Sequence, residues 1–278
     1  MGIPMARNLH KAGFLHGVWN RTANKSSALA QELGCINAAT PIALATECEV
    51  LVLCVSADQD VLALISLIAP SMPRNALVID CSTISADSAR SAAAILSQHK
   101  IDFLDCPVSG GTEGAKNAAL AIMCGGEVSA FERAKPILAA MGRAVTHFGP
   151  SGAGQSAKAT NQIMCAGIIR AVSEAMAFAR AQNLPLESLV ETLGQGAGSS
   201  WYFVNRAPNM IRGAYPAGFK VRLHEKDLRI CREMAAAHGV ALPTVEEMLC
   251  EYEELITQGF GDEDISAVHR LKQALFKR

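Results

Sequence analysis

The chain has 278 residues; half are hydrophobic, 18% are charged, 5% are aromatic, and the formal net charge is −1. That length accommodates two ordinary domains, and a near-neutral chain with no basic stripe argues against nucleic acid as a partner. The longest apolar runs, 50–55 and 61–69, are well short of the roughly 20 residues that span a bilayer, so no membrane segment is expected.

Met1-Gly2-Ile3-Pro4-Met5-Ala6-Arg7-Asn8-Leu9 reads as the opening turns of a helix with no strand before it. A dinucleotide-binding βαβ unit needs a strand, then G-x-G-x-x-G, with the pyrophosphate on the helix N-terminus. Gly2 fits only the last glycine of such a fingerprint. Losing a central strand would cost more than the roughly 5–15 kcal/mol of net stability a domain holds. In-frame codons just upstream of Met1 are therefore expected to encode an apolar strand and G-x-G.

A strand-like run at 15–20 ends in Asn20-Arg21-Thr22. An NAD site usually carries an acid there for the ribose hydroxyl, whereas arginine suits the 2′-phosphate of NADP; a solvated arginine in a turn is the alternative. Further β-like runs at 50–55, 76–80, 101–104, 119–124 and 143–148 alternate with helical periodicities at 23–33, 58–68, 85–99 and 128–141. This alternation implies a mostly parallel, doubly wound sheet with helices on both faces. Within it, Asp105-Cys106-Pro107-Val108-Ser109-Gly110-Gly111 breaks out of a strand into a glycine-rich loop. Its backbone N–H groups and the serine hydroxyl suit a carboxylate or phosphate, with an ordinary turn as the alternative.

After 149–152 the texture changes. Residues 153–182 lack proline and read as one helix of roughly 28 residues, about 42 Å long. Helices follow, punctuated by Pro185, Gly239, Pro243 and Gly259. The organisation read is an α/β domain over 1–150 and an all-α domain over 151–278, joined by the long helix. Lys158 lies near the start of that helix, with Asn161 and Gln162 at i+3 and i+4 on its face. The helix dipole and partial burial would lower its pKa toward proton transfer near neutral pH; a surface lysine beside two polar residues is the alternative. Lys226 reads as opening a helix over about 225–237, where a ligand anion would answer it, and Asp227 suits the same N-terminus on dipole grounds.

Nine cysteines stand at 35, 48, 54, 81, 106, 124, 165, 231 and 250 with no C-x-x-C pair, so no metal site is expected. The odd count and the absence of an export signal favour a reducing, cytoplasmic setting.

Together, M-G-x-P-M-A-x-N-L at 1–9, N-R-T at 20–22, D-C-S-T at 80–83, D-C-P-V-S-G-G at 105–111, G-A-G-Q-x-x-K-x-x-N-Q at 152–162 and K-D-L at 226–228 closely resemble the β-hydroxyacid dehydrogenases. That family includes 3-hydroxyisobutyrate dehydrogenase, tartronate semialdehyde (2-hydroxy-3-oxopropionate) reductase and the glyoxylate/succinic semialdehyde reductases. The resemblance implies a Rossmann-like sheet, here lacking its first strand, followed by an all-α substrate and dimerisation domain. It implies that Ser109, Gly110 and Gly111 hold the substrate carboxylate and that Lys158 is the general acid in reduction and the base in oxidation. Asn161, Gln162, Phe219 and Asp227 would line the substrate site. Met1, Gly2, Asn20, Arg21, Thr22, Val55, Thr83 and Lys226 would hold the cofactor, NADP by the arginine, with NAD possible. The function expected is NADP-preferring reduction of a small semialdehyde acid of the tartronate, glyoxylate or succinic semialdehyde type. The alternatives are oxidation of a 3-hydroxyacid such as hydroxyisobutyrate or serine, and a non-catalytic scaffold that has lost cofactor binding. A homodimer or homotetramer is expected.

Overall fold

The computed structural model describes residues 1–276, and the chain forms two compact units, Met1–Lys158 and Ala159–Arg278. The first runs in the order α1 (Gly2–Lys11), β1 (Gly17–Val18), α2 (Ala23–Leu33), β2 (Ile36–Asn37), α3 (Pro41–Ala45), β3 (Val50–Leu53), α4 (Asp58–Ile68), β4 (Leu77–Asp80), α5 (Ala86–Gln98) and β5 (Asp102–Asp105). It continues with β6 (Val108–Ser109), α6 (Gly111–Lys116), β7 (Leu120–Gly126), α7 (Val128–Ala139) and β8 (Gly142–Gly149).

Strands β3, β4 and β5 pair in parallel, and β4 is buried along its whole length. An apolar run such as Leu77-Val78-Ile79 is what a strand covered on both faces requires. Alternate residues serve the two faces: Leu77 and Ile79 pack with Met5, Leu9 and Leu138, while Val78 packs with Val61, Ile65 and Leu96. Helices α1 and α7 thus cover one side of the sheet, and α4 and α5 the other.

The sheet is less uniformly parallel than the alternation suggests. β7 runs antiparallel to both β5 and β6, which follow one another along the same edge of it in a single register, and β8 joins its other edge in parallel. The expected strand at 15–20 is reduced to Gly17 and Val18, which pair only with β2 in a separate two-stranded sheet. β2, α3 and α6 have no counterpart in the sequence reading. They are short, and β2 is exposed at both residues.

Helix α8 (Ala153–Ala181) continues from the first unit into the second, which adds α9 (Leu186–Leu193), α10 (Trp201–Arg212), α11 (Val221–Ala236), α12 (Pro243–Thr257) and α13 (Val268–Ala274). Its core joins Ala166, Ile169 and Met176 of α8 to Leu228 of α11 and Met248 and Tyr252 of α12. By length and composition alone α8 is apolar enough to cross a membrane, with 44% of its most apolar window buried. Its packed face belongs to this core. The first compact unit includes the start of α8 up to Lys158, because the first turns of α8 are tied to the ends of β4 and β5.

Candidate active site

In the first unit the strand ends carry a connected set of polar contacts. Val55, just past β3, donates its N–H to Ser82 Oγ at 2.9 Å. Gln155 on α8 reaches back to the same loop: its Nε2 donates to Ser82 O at 2.9 Å and its Oε1 accepts from Ile84 N at 3.2 Å. Thr83 is therefore held between two braced neighbours. At the end of β5, the buried Asp105 accepts from Gly152 N at 2.8 Å and from Gln155 N at 2.9 Å. Burial pushes the Asp105 carboxyl above its usual range, and these amides pull it back down.

Lys158 lies in the second turn of α8, beyond the first turn in which the helix dipole acts, so burial rather than the dipole sets it apart. It is only 6% exposed, and Gln155 and Gln162 on the same helix face are buried with it. A buried polar stripe on a core helix is unusual, since lysine is almost never fully buried without a specific reason.

Ser109 ends β6 and is half-buried. Gly110 and Gly111 have φ of 128° and 62°, in or near the left-handed region that glycine tolerates and other residues resist. The loop's backbone path thus depends on these two glycines, as the motif implied.

Asp80, at the end of β4, is fully buried, with Oδ1 accepting from Ser82 N at 3.0 Å and Oδ2 without a partner. Burial raises its pKa to about 6, with Ser82 opposing the shift. Because the folded value exceeds the unfolded one, this group stabilises the fold fully below about pH 4. That contribution is lost as the pH rises through about 6. Asp80→Asn should therefore raise stability at pH 8 by roughly 2–3 kcal/mol and by much less at pH 4.5. Urea midpoints at the two pH values check this, and an equal gain at both would remove titration as the cause.

Five of the cofactor candidates, Met1, Gly2, Asn20, Arg21 and Thr22, lie at the starts of α1 and α2, whereas Val55 and Thr83 lie in the loops after β3 and β4. Gly2 is the first residue of α1, and an added Cβ would meet nothing nearer than Cys54 Cβ at 3.9 Å. Thr22 is the N-cap of α2, and Asn20 Nδ2 donates to Thr22 O at 3.1 Å. Neither helix has an acid in its first turn or a side chain capping it. Arg21 is four-fifths exposed and pairs with Asp60 at 3.0 Å. Two helix N-termini without acids and an accessible guanidinium are a donor set that fits a phosphate-bearing dinucleotide.

In the second unit, four candidates form one hydrogen-bonded chain. Asn161 Nδ2 donates to Gln162 Oε1 at 2.8 Å, Gln162 Nε2 donates to Asp227 Oδ2 at 2.7 Å, and Lys226 Nζ pairs with Asp227 Oδ1 at 3.0 Å. Phe219 joins through His224, whose ring lies 5.6 Å away. The Gln162 amide is thus committed at both ends to holding its neighbours.

The expectation that Lys226 opens a helix is corrected. α11 begins at Val221, which places Lys226 and Asp227 in its second turn. The start is set by tertiary contacts, Val221 N to Glu263 O at 3.0 Å and Arg222 N to Gly261 O at 3.1 Å, which no local cap signal announces. The dipole argument for both residues therefore falls, and their mutual pairing replaces it. Asp105, Gln155 and Asp264 were not singled out as site residues, because their partners are remote in sequence.

The first turns of α8, which carry the buried Lys158, are hydrogen-bonded to the segments leaving β4 and β5, and α1 and α2 begin without acids, a combination that suits a nicotinamide-dependent oxidoreductase. Residues 1–149 match the model described as the NAD binding domain of 6-phosphogluconate dehydrogenase. Residues 152–272 match that described as NAD-binding of NADP-dependent 3-hydroxyisobutyrate dehydrogenase. The chain belongs to the β-hydroxyacid dehydrogenases, NAD(P)-dependent enzymes acting on the CH–OH group of 3-hydroxyacids. It is 35% identical to the NAD-dependent L-serine dehydrogenase of Pseudomonas aeruginosa, over 98% of this chain and 94% of that one. It is 32% identical to the 2-hydroxy-3-oxopropionate reductase of Escherichia coli, over 87% and 84%. Among solved structures it resembles Mycobacterium tuberculosis 3-hydroxyisobutyrate dehydrogenase with L-serine, at a TM-score of 0.87 and 30% identity, covering 98% of this chain and 95% of that one.

Proposed function

We propose that the protein is an NADP-preferring reductase of small semialdehyde acids, of the tartronate semialdehyde type, with Lys158 as its general acid. The observation that carries this reading is the burial of Lys158 in the polar stripe of α8. When bound, the nicotinamide supplies a hydride to the carbonyl carbon. Lys158 Nζ stabilises the charge growing on the carbonyl oxygen and delivers the proton that completes the alcohol; in oxidation it takes that proton from the hydroxyl. The Ser109 hydroxyl and the Gly110 and Gly111 amides hold the substrate carboxylate, fixing the carbonyl for transfer. Asn161, three residues beyond Lys158 on the same helix, orients the substrate oxygens, and Gln162 and Asp227 hold Asn161 in place.

The preference for NADP rests on Arg21, whose exposed guanidinium suits a 2′-phosphate bidentately. NADPH is expected to bind at least about tenfold more tightly than NADH, a difference of about 1.4 kcal/mol, and Arg21→Ala to erase that gap. Tighter binding of NADH by the unaltered protein would overturn this assignment. A screen of NADPH oxidation against tartronate, glyoxylate and succinic semialdehydes tests the substrate class; failure to turn over any of them would reject it.

A second reading, NAD-linked oxidation of serine or hydroxyisobutyrate, is favoured by the higher identity to the serine dehydrogenase, 35% against 32%. The same screen run in reverse with NAD and the 3-hydroxyacids separates the two.

A further inference from the structure

A helix usually takes its N-terminal cap from the residue just before it. The start of α8 instead receives a carboxylate from Asp105, 47 residues upstream. Both Asp105 oxygens are used, one on Gly152 N and the other on Gln155 N. The packing leaves room for nothing else. A Cβ on Gly125 would come 2.6 Å from Asp105 Oδ1, and one on Gly154 would come 2.8 Å from Oδ2 and inside contact of Asp105 O and Met123 O.

Three features converge on this carboxylate. Asp105 ends β5, and the chain reaches Ser109 four residues later along the same edge of β7. The helical turn it caps includes Gln155, whose side chain braces Ser82 and Ile84 around Thr83. Lys158 follows Gln155 by three residues, on the same helix face. One buried group therefore sets the seat of the lysine relative to both the Ser109 loop and the Thr83 loop.

We propose that Asp105 is a positioning residue for the reaction, acting through Lys158 by fixing the depth and rotation of the first turns of α8. The proposal rests on Lys158 being the proton donor. An ångström of misplacement costs on the order of 100-fold in rate, so the seat matters more to turnover than the cap does to stability.

The test is Asp105→Asn, which keeps one acceptor but turns an NH2 toward a backbone N–H. With saturating NADPH and the best semialdehyde, kcat should fall about 10- to 100-fold. NADPH affinity by fluorescence titration should stay within twofold, and amide exchange at Gly152 and Gln155 should accelerate. In a Lys158→Ala background the same change should lower kcat no further. A purely structural cap would lower the melting temperature yet leave kcat of the folded protein within twofold, and that outcome overturns the proposal. An equal additional loss in the Lys158→Ala background also overturns it, because Asp105 would then act independently of the lysine. Should Lys158→Ala itself retain full turnover, the general-acid reading fails, and this is seen separately from any effect of Asp105. Gln155→Met loosens the same turn with Asp105 in place, and so covers the case in which Asp105→Asn does not fold. It is expected to lower kcat severalfold at saturating NADPH, and an unchanged kcat would count against the seat of this turn governing Lys158.

Discussion

Lys158→Ala is expected to lower kcat/KM by about 1,000-fold, within the range a general acid contributes, while leaving NADPH affinity within twofold. The alkoxide that develops during reduction needs both a nearby positive charge and a proton, and a buried ammonium supplies both. Lys158→Arg should rescue little. A guanidinium keeps the charge but holds its proton too tightly to release it, and its planar fork presents donors in a different geometry from an ammonium. Steady-state rates with saturating cofactor, together with a fluorescence titration of NADPH, check the result. Turnover of the alanine variant within tenfold of the parent would remove Lys158 from the proton-transfer step.

Asp264→Ala should destabilise the second unit by about 3–5 kcal/mol, the usual cost of removing one partner of a buried charged network. Asp264 is fully buried, and its two oxygens accept from Gly218 N, Phe219 N, Ser266 N and Ser266 Oγ at 2.7–3.1 Å. Arg206 lies 3.4 Å away as counter-charge. Alanine would leave the Gly218, Phe219 and Ser266 donors without this acceptor, each at a desolvation cost, and would take away a counter-charge of Arg206. Such a loss is a large share of the roughly 5–15 kcal/mol that holds a domain together. Asp264→Asn should cost less, because it keeps a carbonyl oxygen for part of the set. Urea denaturation followed by far-UV circular dichroism measures the difference; a loss below 1 kcal/mol for alanine would show that the network relaxes around the gap.

What the sequence revealed follows from where each signal resides. β4 and α4 were legible because Leu77-Val78-Ile79 is buried on both faces and Val61, Ile65 and Ile68 repeat at helical spacing. Lys158 and the Ser109 loop stand out in the sequence as motif positions, and the structure shows the burial of the one and the positive-φ glycines of the other. The start of α11 was not, because Glu263 and Gly261 fix it from across the unit. Nor was the chain from Asn161 to Lys226, since Gln162 and Asp227 meet across 65 positions. Asp105 appeared in a recognisable motif, yet its work is done on amides that no periodicity connects to it. Residue chemistry was readable from the chain, whereas the contacts that hold it in place were not.

The capping of α8 from a distant strand also bears on the order in which the molecule assembles. A locally capped helix can begin to form in microseconds, before any sheet exists. The start of α8 instead gains its cap only when a loop of 47 positions has closed onto the end of β5, a late and entropically costly event. The turn that seats Lys158 should therefore be among the last parts of the first unit to become fixed. A chain stalled short of that closure would hold most of its helices with Lys158 still unseated, so, with that lysine in the proposed role, turnover itself would report completed folding.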